Sequence, residues 1–168
     1  MPDWKKAFYS IIDVVKKDRY AKQIAHHLAQ NTLYEYEGVD ALYSKIKDKY
    51  MLLQTKMNKL GMPIKLSEGF RSAKKQNEYY AKGRTTEGKI ITNAQGLQSY
   101  HNFGLAFDVI FIKYNWNAPQ NWWDTLGKEG EKLGLTWGGR WEMRDYTHFE
   151  LHDGFTWKDL KYYFERSI

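Results

Sequence analysis

A histidine and an aspartate stand seven residues apart in the run Ser99-Tyr100-His101-Asn102-Phe103-Gly104-Leu105-Ala106-Phe107-Asp108. Further on, Asp145-Tyr146-Thr147-His148-Phe149-Glu150 places a carboxylate three residues before a second histidine. Imidazole nitrogens and carboxylate oxygens are ligands for hard and borderline metals. Two His, one Asp and a spare carboxylate form the set that a catalytic zinc hydrolase needs. Three protein ligands leave a fourth position for water, and the spare carboxylate can manage its proton. The chain has no Cys, which excludes disulfides, thiol catalysis and thiolate metal sites.

Spacing constrains how these residues meet. On one straight strand, His101 and Asp108 would point to opposite faces. Gly104 between them can kink or bulge the chain, so His101 is expected on a loop and Asp108 on the strand that follows. Asp108 interrupts an otherwise apolar run, residues 105–112. Burying an unpaired carboxylate is costly, so a cation must face it, either a metal ion or an Arg or Lys. Asp145 and His148 are also at odd spacing, which again predicts a loop residue followed by a strand residue. His148 and Glu150 share a face, and Glu150 could orient a ligating imidazole. Taken alone, His148 could equally be a satisfied core histidine. Ser99 has no Ser-His-Asp order or nucleophile elbow around it. His26 and His27 are adjacent on a helix, cannot both face one site, and read as ordinary helix residues. His152 has no assigned role and reads as a surface residue or a neighbour of the site.

The elements that must position these groups follow from periodicity. Residues 3–30 read as an amphipathic helix, with Asp3 as N-cap and a stripe of Trp4, Phe8, Ile11, Ile12, Val15, Ile24 and Leu28. Residues 38–60 read as a second helix, striped by Val39, Leu42, Ile46, Leu53, Met57 and Leu60 and ended by Gly61. Residues 64–71 alternate like a short strand, 73–81 form a polar helix ending at Gly83, and 84–99 form a loop. Residues 105–112 read as a buried strand. Residues 119–133 are helical, with Asn117 as a possible cap and Gly134 at the end. Trp116, Trp122 and Trp123 near that helix start read as core. Trp137-Gly138-Gly139 is a turn, 146–151 a strand, and a helix of about ten residues closes the chain. The order predicts an α+β fold: a small antiparallel sheet carrying the candidate metal-binding residues, flanked by helices, with an N-terminal helical extension. The expected division is 1–60 for a helical extension that could pack on the core and 61–168 for the catalytic domain.

Net charge is +6, and residues 1–60 hold 11 Lys or Arg against 7 Asp or Glu. The excess is diffuse, so it suits an anionic polymer such as bacterial cell wall without demanding one. No nucleic-acid-binding motif is present, and no nucleic-acid partner is expected. No apolar run approaches the ~18 residues of a membrane span. The stretch Ile11-Ile12-Asp13-Val14-Val15 is broken by Asp13 and followed by lysines, so no secretory signal is expected.

Together, in this order, the two motifs resemble the zinc peptidases of bacterial cell-wall peptides. These comprise D-alanyl-D-alanine carboxypeptidases and L-alanyl-D-glutamate endopeptidases. The family signature is Ser-x-His, two residues, Gly-x-Ala-x-Asp, and later a carboxylate-x-x-His. Every fixed position is present, from Ser99, His101, Gly104, Ala106 and Asp108 to Asp145 and His148. Upstream, Gly69-Phe70-Arg71-Ser72 with Gln76 resembles the family's substrate-binding Arg and Gln. Downstream, Trp137-Gly138-Gly139 and Trp141 resemble its aromatic wall. The resemblance covers about residues 62–152. It implies Zn2+ held by His101, Asp108 and His148, with Asp145 as general base and Arg71 at the scissile carbonyl. It implies substrate contacts from Gln76, Ser99, Trp137 and Trp141, and a peptidoglycan stem peptide as substrate. Asp at position 145 is similar to the L-alanyl-D-glutamate group, since the D,D-carboxypeptidases usually place Glu there. A D-alanyl-D-alanine carboxypeptidase or a zinc-containing wall-binding module are the alternatives. The expected place of action is the bacterial wall, reached from the cytoplasm by release or delivery, with a docking or delivery partner for the N-terminal helices as one option.

Overall fold

The computed structural model describes residues 3–34 and 38–166, with side chains for 15–28, 30, 31 and 38–166. Among the described residues, five helices accompany a four-stranded antiparallel sheet of order β1-β2-β4-β3, an α+β architecture. The helices are α1 (Asp3–Tyr34), α2 (Ser44–Lys59), α3 (Ala73–Ala81), α4 (Gln120–Lys132) and α5 (Trp157–Glu165). The strands are β1 (Ile64–Glu68), β2 (Ala106–Phe111), β3 (Thr136–Trp137) and β4 (His148–Glu150). Short 3-10 turns cover Tyr100–Phe103 and Gly138–Arg140. No helix among the described residues is long and apolar enough to cross a membrane.

In α2, Ile46, Tyr50, Leu53 and Met57 recur at three- and four-residue steps and are all buried. The helix ends as Gly61 predicts. Gly61 takes φ +71, its N–H donates to Asn58 O, and Met62 N–H donates to Met57 O, which satisfies the last carbonyls. Its start differs from expectation: residues 38–43 are turn, and the helix begins at Ser44. The backbone groups of that turn are engaged elsewhere. Ala41 O accepts from His27 Nε2 and Asn31 Nδ2 of α1, and Tyr43 N–H donates to Gly104 O. At α4, Pro119 rather than Asn117 occupies the cap position, and Trp122 N–H donates to Pro119 O. A proline there forfeits no helical hydrogen bond.

One face of the sheet carries Phe107, Val109, Phe111 and Phe149 into the main core, against the α2 stripe and Trp123 and Leu126 of α4. A second cluster joins Ala21, Ile24 and Leu28 of α1 to Phe103, Leu105, Phe155 and Leu160. Three of the seven residues of the expected α1 stripe lie among the described side chains. Ile24 and Leu28 are buried, while Val15 is 54% exposed. The cap at Asp3 and the side chains of Trp4, Phe8, Ile11 and Ile12 lie outside what is described. Of the three tryptophans near α4, Trp123 is core and Trp122 packs edge-on to Phe111, but Trp116 is 64% exposed.

Candidate metal centre

Strand pairing puts Asp108 of β2 directly opposite His148 of β4, on the sheet face away from the main core. His101 comes from the 3-10 turn that precedes β2. Ser99 caps that turn, with its hydroxyl accepting from His101 N–H, and Gly104 closes it in the left-handed region at φ +66. The turn and the strand thus supply the change of direction that lets residues seven apart converge.

Three ligand atoms meet there. His101 Nε2 lies 3.2 Å from His148 Nδ1, His148 Nδ1 lies 3.1 Å from Asp108 Oδ1, and His101 Nε2 lies 3.4 Å from Asp108 Oδ1. Donors held ~2.0–2.1 Å from one ion at tetrahedral angles stand about 3.3–3.4 Å apart. The cluster therefore has the size of a small divalent ion's coordination shell, and the chemistry of its donors fits one. The other ring nitrogens are committed. His101 Nδ1–H donates to Gly69 O at 2.7 Å, and His148 Nε2–H donates to Glu150 Oε2 at 3.0 Å. In the neutral imidazole each contact selects the tautomer whose other nitrogen, the one in the cluster, keeps its lone pair.

The electrostatics point the same way. Burial works against a charge on His148, yet Asp108 and Glu150 push its pKa up to about 9. Burial would raise the Asp108 carboxyl, but the two imidazoles hold it far below the usual carboxylate range. Two carboxylates around two buried imidazoles make a site that calls for positive charge.

Asp145 lies in the loop before β4, exposed, with Oδ1 accepting from the Thr147 N–H and hydroxyl. Thr147 thereby fixes its rotamer. Gly138 is what allows this loop to close on the sheet: a Cβ there would meet Asp145 O at 2.6 Å and His148 Cβ at 3.1 Å. Arg71 is nearly buried, clamped by Glu68 and by Gln76 Oε1 at 2.8 Å, with its Nη2 at 4.0 Å from Asp108 Oδ2. Burial raises the Glu68 carboxyl, but Arg71, together with His101 and Lys75, holds the group below its ordinary value.

A groove of about 500 Å³ passes over the cluster and is lined by Arg71, Ser99, His101, Asp108, Trp141, Asp145, His148 and Glu150, with Thr92 and Gln98 of the long loop on one side. Two of the residues matched by resemblance do not reach it. Gln76 is fully buried, where its Nε2 donates to Ala94 O and Thr92 Oγ1 and its Oε1 holds Arg71. Trp137 pairs with Phe149 on the core side of the sheet, 2% exposed, with its indole N–H on Tyr146 O. Trp141 does stand at the rim, its ring 5.0 Å from His148. His152 stacks on Tyr100 and lies 3.8 Å from Glu150, beside the site. Sequence reading passed over Asn102, whose buried amide donates to Arg71 O and whose carbonyl accepts from the Leu97 and Ser99 N–H groups. Its signal was a polar residue with no outlet inside the motif. A wider depression of about 730 Å³ along α1, between Val15, Lys22, His26 and Tyr43, shares no residue with this groove or its ligands.

A family described as D-alanyl-D-alanine carboxypeptidase matches residues 92–151, the segment that holds His101, Asp108, Asp145 and His148. The peptidoglycan L-alanyl-D-glutamate endopeptidase CwlK of Bacillus subtilis (strain 168) is 34% identical over 136 residues, 73% of this chain and 81% of that protein. Among solved structures, the L,D-carboxypeptidase DacB from Streptococcus pneumonia superposes with TM-score 0.52 at 23% identity, over 74% of this chain and 72% of that one. The D,D-pentapeptidase VanY of a VanB-type resistance cassette, an E175A mutant solved with Zn(II), gives TM-score 0.52 at 15% identity, over 71% and 83%. These two likenesses are of fold.

Proposed function

Since the chain belongs to the zinc peptidase family of D-alanyl-D-alanine carboxypeptidases and L-alanyl-D-glutamate endopeptidases, we propose that it hydrolyses the L-alanyl-D-glutamate bond of peptidoglycan stem peptides, with one Zn2+ held by His101, Asp108 and His148. The observation that carries this reading is the convergence of those three ligand atoms within 3.4 Å of one another. It sits in a chain 34% identical to an L-alanyl-D-glutamate endopeptidase.

A bound zinc ion supplies a water with pKa near ~7 and a Lewis acid for the scissile carbonyl. The chain's own groups do the rest. Asp145 takes the proton of the attacking water as the C–O bond forms and passes it to the departing amine as the C–N bond then breaks; a positioned base of this kind contributes about 10²–10⁴-fold. Arg71 offers N–H donors to the carbonyl oxygen as negative charge develops on it. Gln76 acts on Arg71 rather than on the substrate, and Ser99 serves the turn that carries His101. Trp141 covers one side of the groove, where an apolar face can pack on the peptide and keep bulk water out.

Asp145 is one methylene shorter than a Glu at the same place, which favours the endopeptidase reading over D-alanyl-D-alanine carboxypeptidase. Two synthetic stem peptides test the choice. One carries an internal L-Ala-D-Glu bond and lacks D-Ala-D-Ala; the other ends in D-Ala-D-Ala and has its L-Ala-D-Glu bond replaced by an N-methyl amide. Turnover of the first with the second untouched is the expected result. The reverse pattern assigns the carboxypeptidase activity instead.

A further inference from the structure

Glu68 of β1, Asp108 of β2 and His148 of β4 stand in one row across the sheet. Directly opposed residues in antiparallel strands project from the same face, so Glu68 shares the face of the metal ligands. Simple alternation would not put it there. Ile64 and Leu66 pair with Phe111 and Val109, both core residues. One more step of two would set position 68 opposite Phe107, in the core. The register shifts between Leu66 and Glu68, and this bulge turns the carboxylate to the site.

There it grips a guanidinium. Glu68 Oε1 accepts from Arg71 Nε at 3.0 Å and Oε2 from Arg71 Nη2, while Gln76 Oε1 accepts from Nη1. The ring of Tyr79 lies 5.0 Å from the guanidinium carbon. Of the five N–H donors of an arginine, three are taken by these contacts, which leaves two on the η-nitrogens for a substrate oxygen. Asp108 Oδ2 is 4.0 Å from Arg71 Nη2. An arginine without its clamp would close that gap and engage a carboxylate that the metal needs.

We infer that Glu68 is the positioning residue for Arg71: the bulge-borne carboxylate holds the guanidinium off Asp108 and aims its remaining donors at the substrate carbonyl. This rests on the role proposed for Arg71. The test uses the full-length, metal-loaded protein and a soluble stem peptide, with metal content, kcat and KM measured for Glu68→Gln, Glu68→Asp, Arg71→Ala and the double variant Glu68→Gln/Arg71→Ala. Glu68→Gln is expected to lower kcat about tenfold with KM changed less than about threefold, because the lost alignment matters most in the transition state. Metal content stays at the wild-type level. Glu68→Asp, which keeps the charge, recovers part of the loss. On the Arg71→Ala background the Glu68 substitution costs less than about twofold, as expected for two groups acting through one interaction. Wild-type kcat in Glu68→Gln, or an equal loss with and without Arg71, overturns the positioning role. Wild-type kcat in Arg71→Ala overturns the reading of Arg71 itself, and this inference with it.

Discussion

With the metal held as proposed by His101, Asp108 and His148, removing one imidazole leaves two protein ligands, too few to hold an ion tightly against water. His101→Ala and His148→Ala should each lose most of the bound metal, measured by elemental analysis after dialysis. Full metal content in either variant would move the site elsewhere. Asp145→Asn, nearly isosteric but unable to take a proton, should keep metal and fold and lose about 10²–10⁴ in kcat. Near wild-type kcat would shift the base to another carboxylate, with Glu150 first in line because it touches His148. At this scale the sequence was most legible. The two motifs singled out His101, Asp108 and His148, which the structure brings together, and shared parity on a strand anticipated the Glu150–His148 contact. Gln76 and Trp137 were matched by position to substrate contacts, yet the structure buries both away from the groove. A sequence match conveys where a residue lies along the chain, whereas depth depends on the loop at 92–94 that covers Gln76 and the sheet pairing that turns Trp137 inward.

Elements were legible where their signals are local and less so where a neighbour intervenes. The α2 stripe, the Gly61 stop and helix Ala73–Ala81 follow from periodicity and end residues. The late start of α2 and the bulge at Glu68 do not, because each depends on partners distant in sequence. The turn before α2 shows the consequence. His27 and Asn31 of α1 hold Ala41 O, and a Cβ at Gly104 would lie 2.9 Å from that same oxygen. The helix, the turn and the end of the His101 segment are thus packed on one another. Burial is the largest influence on His27 and lowers its pKa below 6.5, against the raising effect of its contact with Ala41. The unfolded chain therefore binds the proton more readily than the folded one. The contribution is fully present above about pH 6.5 and is lost as pH falls through the lower folded value. His148 titrates in the opposite sense in both proteins, so the comparison that isolates the contact is with His27→Gln: between pH 7.5 and 5.5 the thermal midpoint of the metal-free wild type should fall relative to that of the variant. An identical pH profile in the variant would show that the contact carries no such linkage.

For the molecule as a whole, the question is what residues 1–60 contribute. We propose that they belong with the core and are not an independent wall-binding appendage. Tyr43 packs against both hydrophobic clusters, α2 lines the main one, and Ala21, Ile24 and Leu28 of α1 cover Phe103 and Leu105 inside the metal motif itself. Burying one large aliphatic side chain contributes about 1.5–3 kcal/mol, against a typical total of about 5–15 kcal/mol for a domain. A chain that begins at residue 37 should melt at least ~10 °C lower, or not fold, and should hold metal weakly. An unchanged midpoint and metal content would show α1 to be dispensable. The diffuse positive charge adds only a salt-screened attraction to anionic wall. The most direct test of the function is digestion of purified peptidoglycan by the metal-loaded protein, with mass spectrometry of the released fragments. The expected result is peptides with a free D-glutamate amine, L-alanine left on the glycan, and no such products after chelation of the metal or from His148→Ala. Fragments shortened only by a terminal D-alanine, or an intact polymer under conditions where metal is bound, would contradict it.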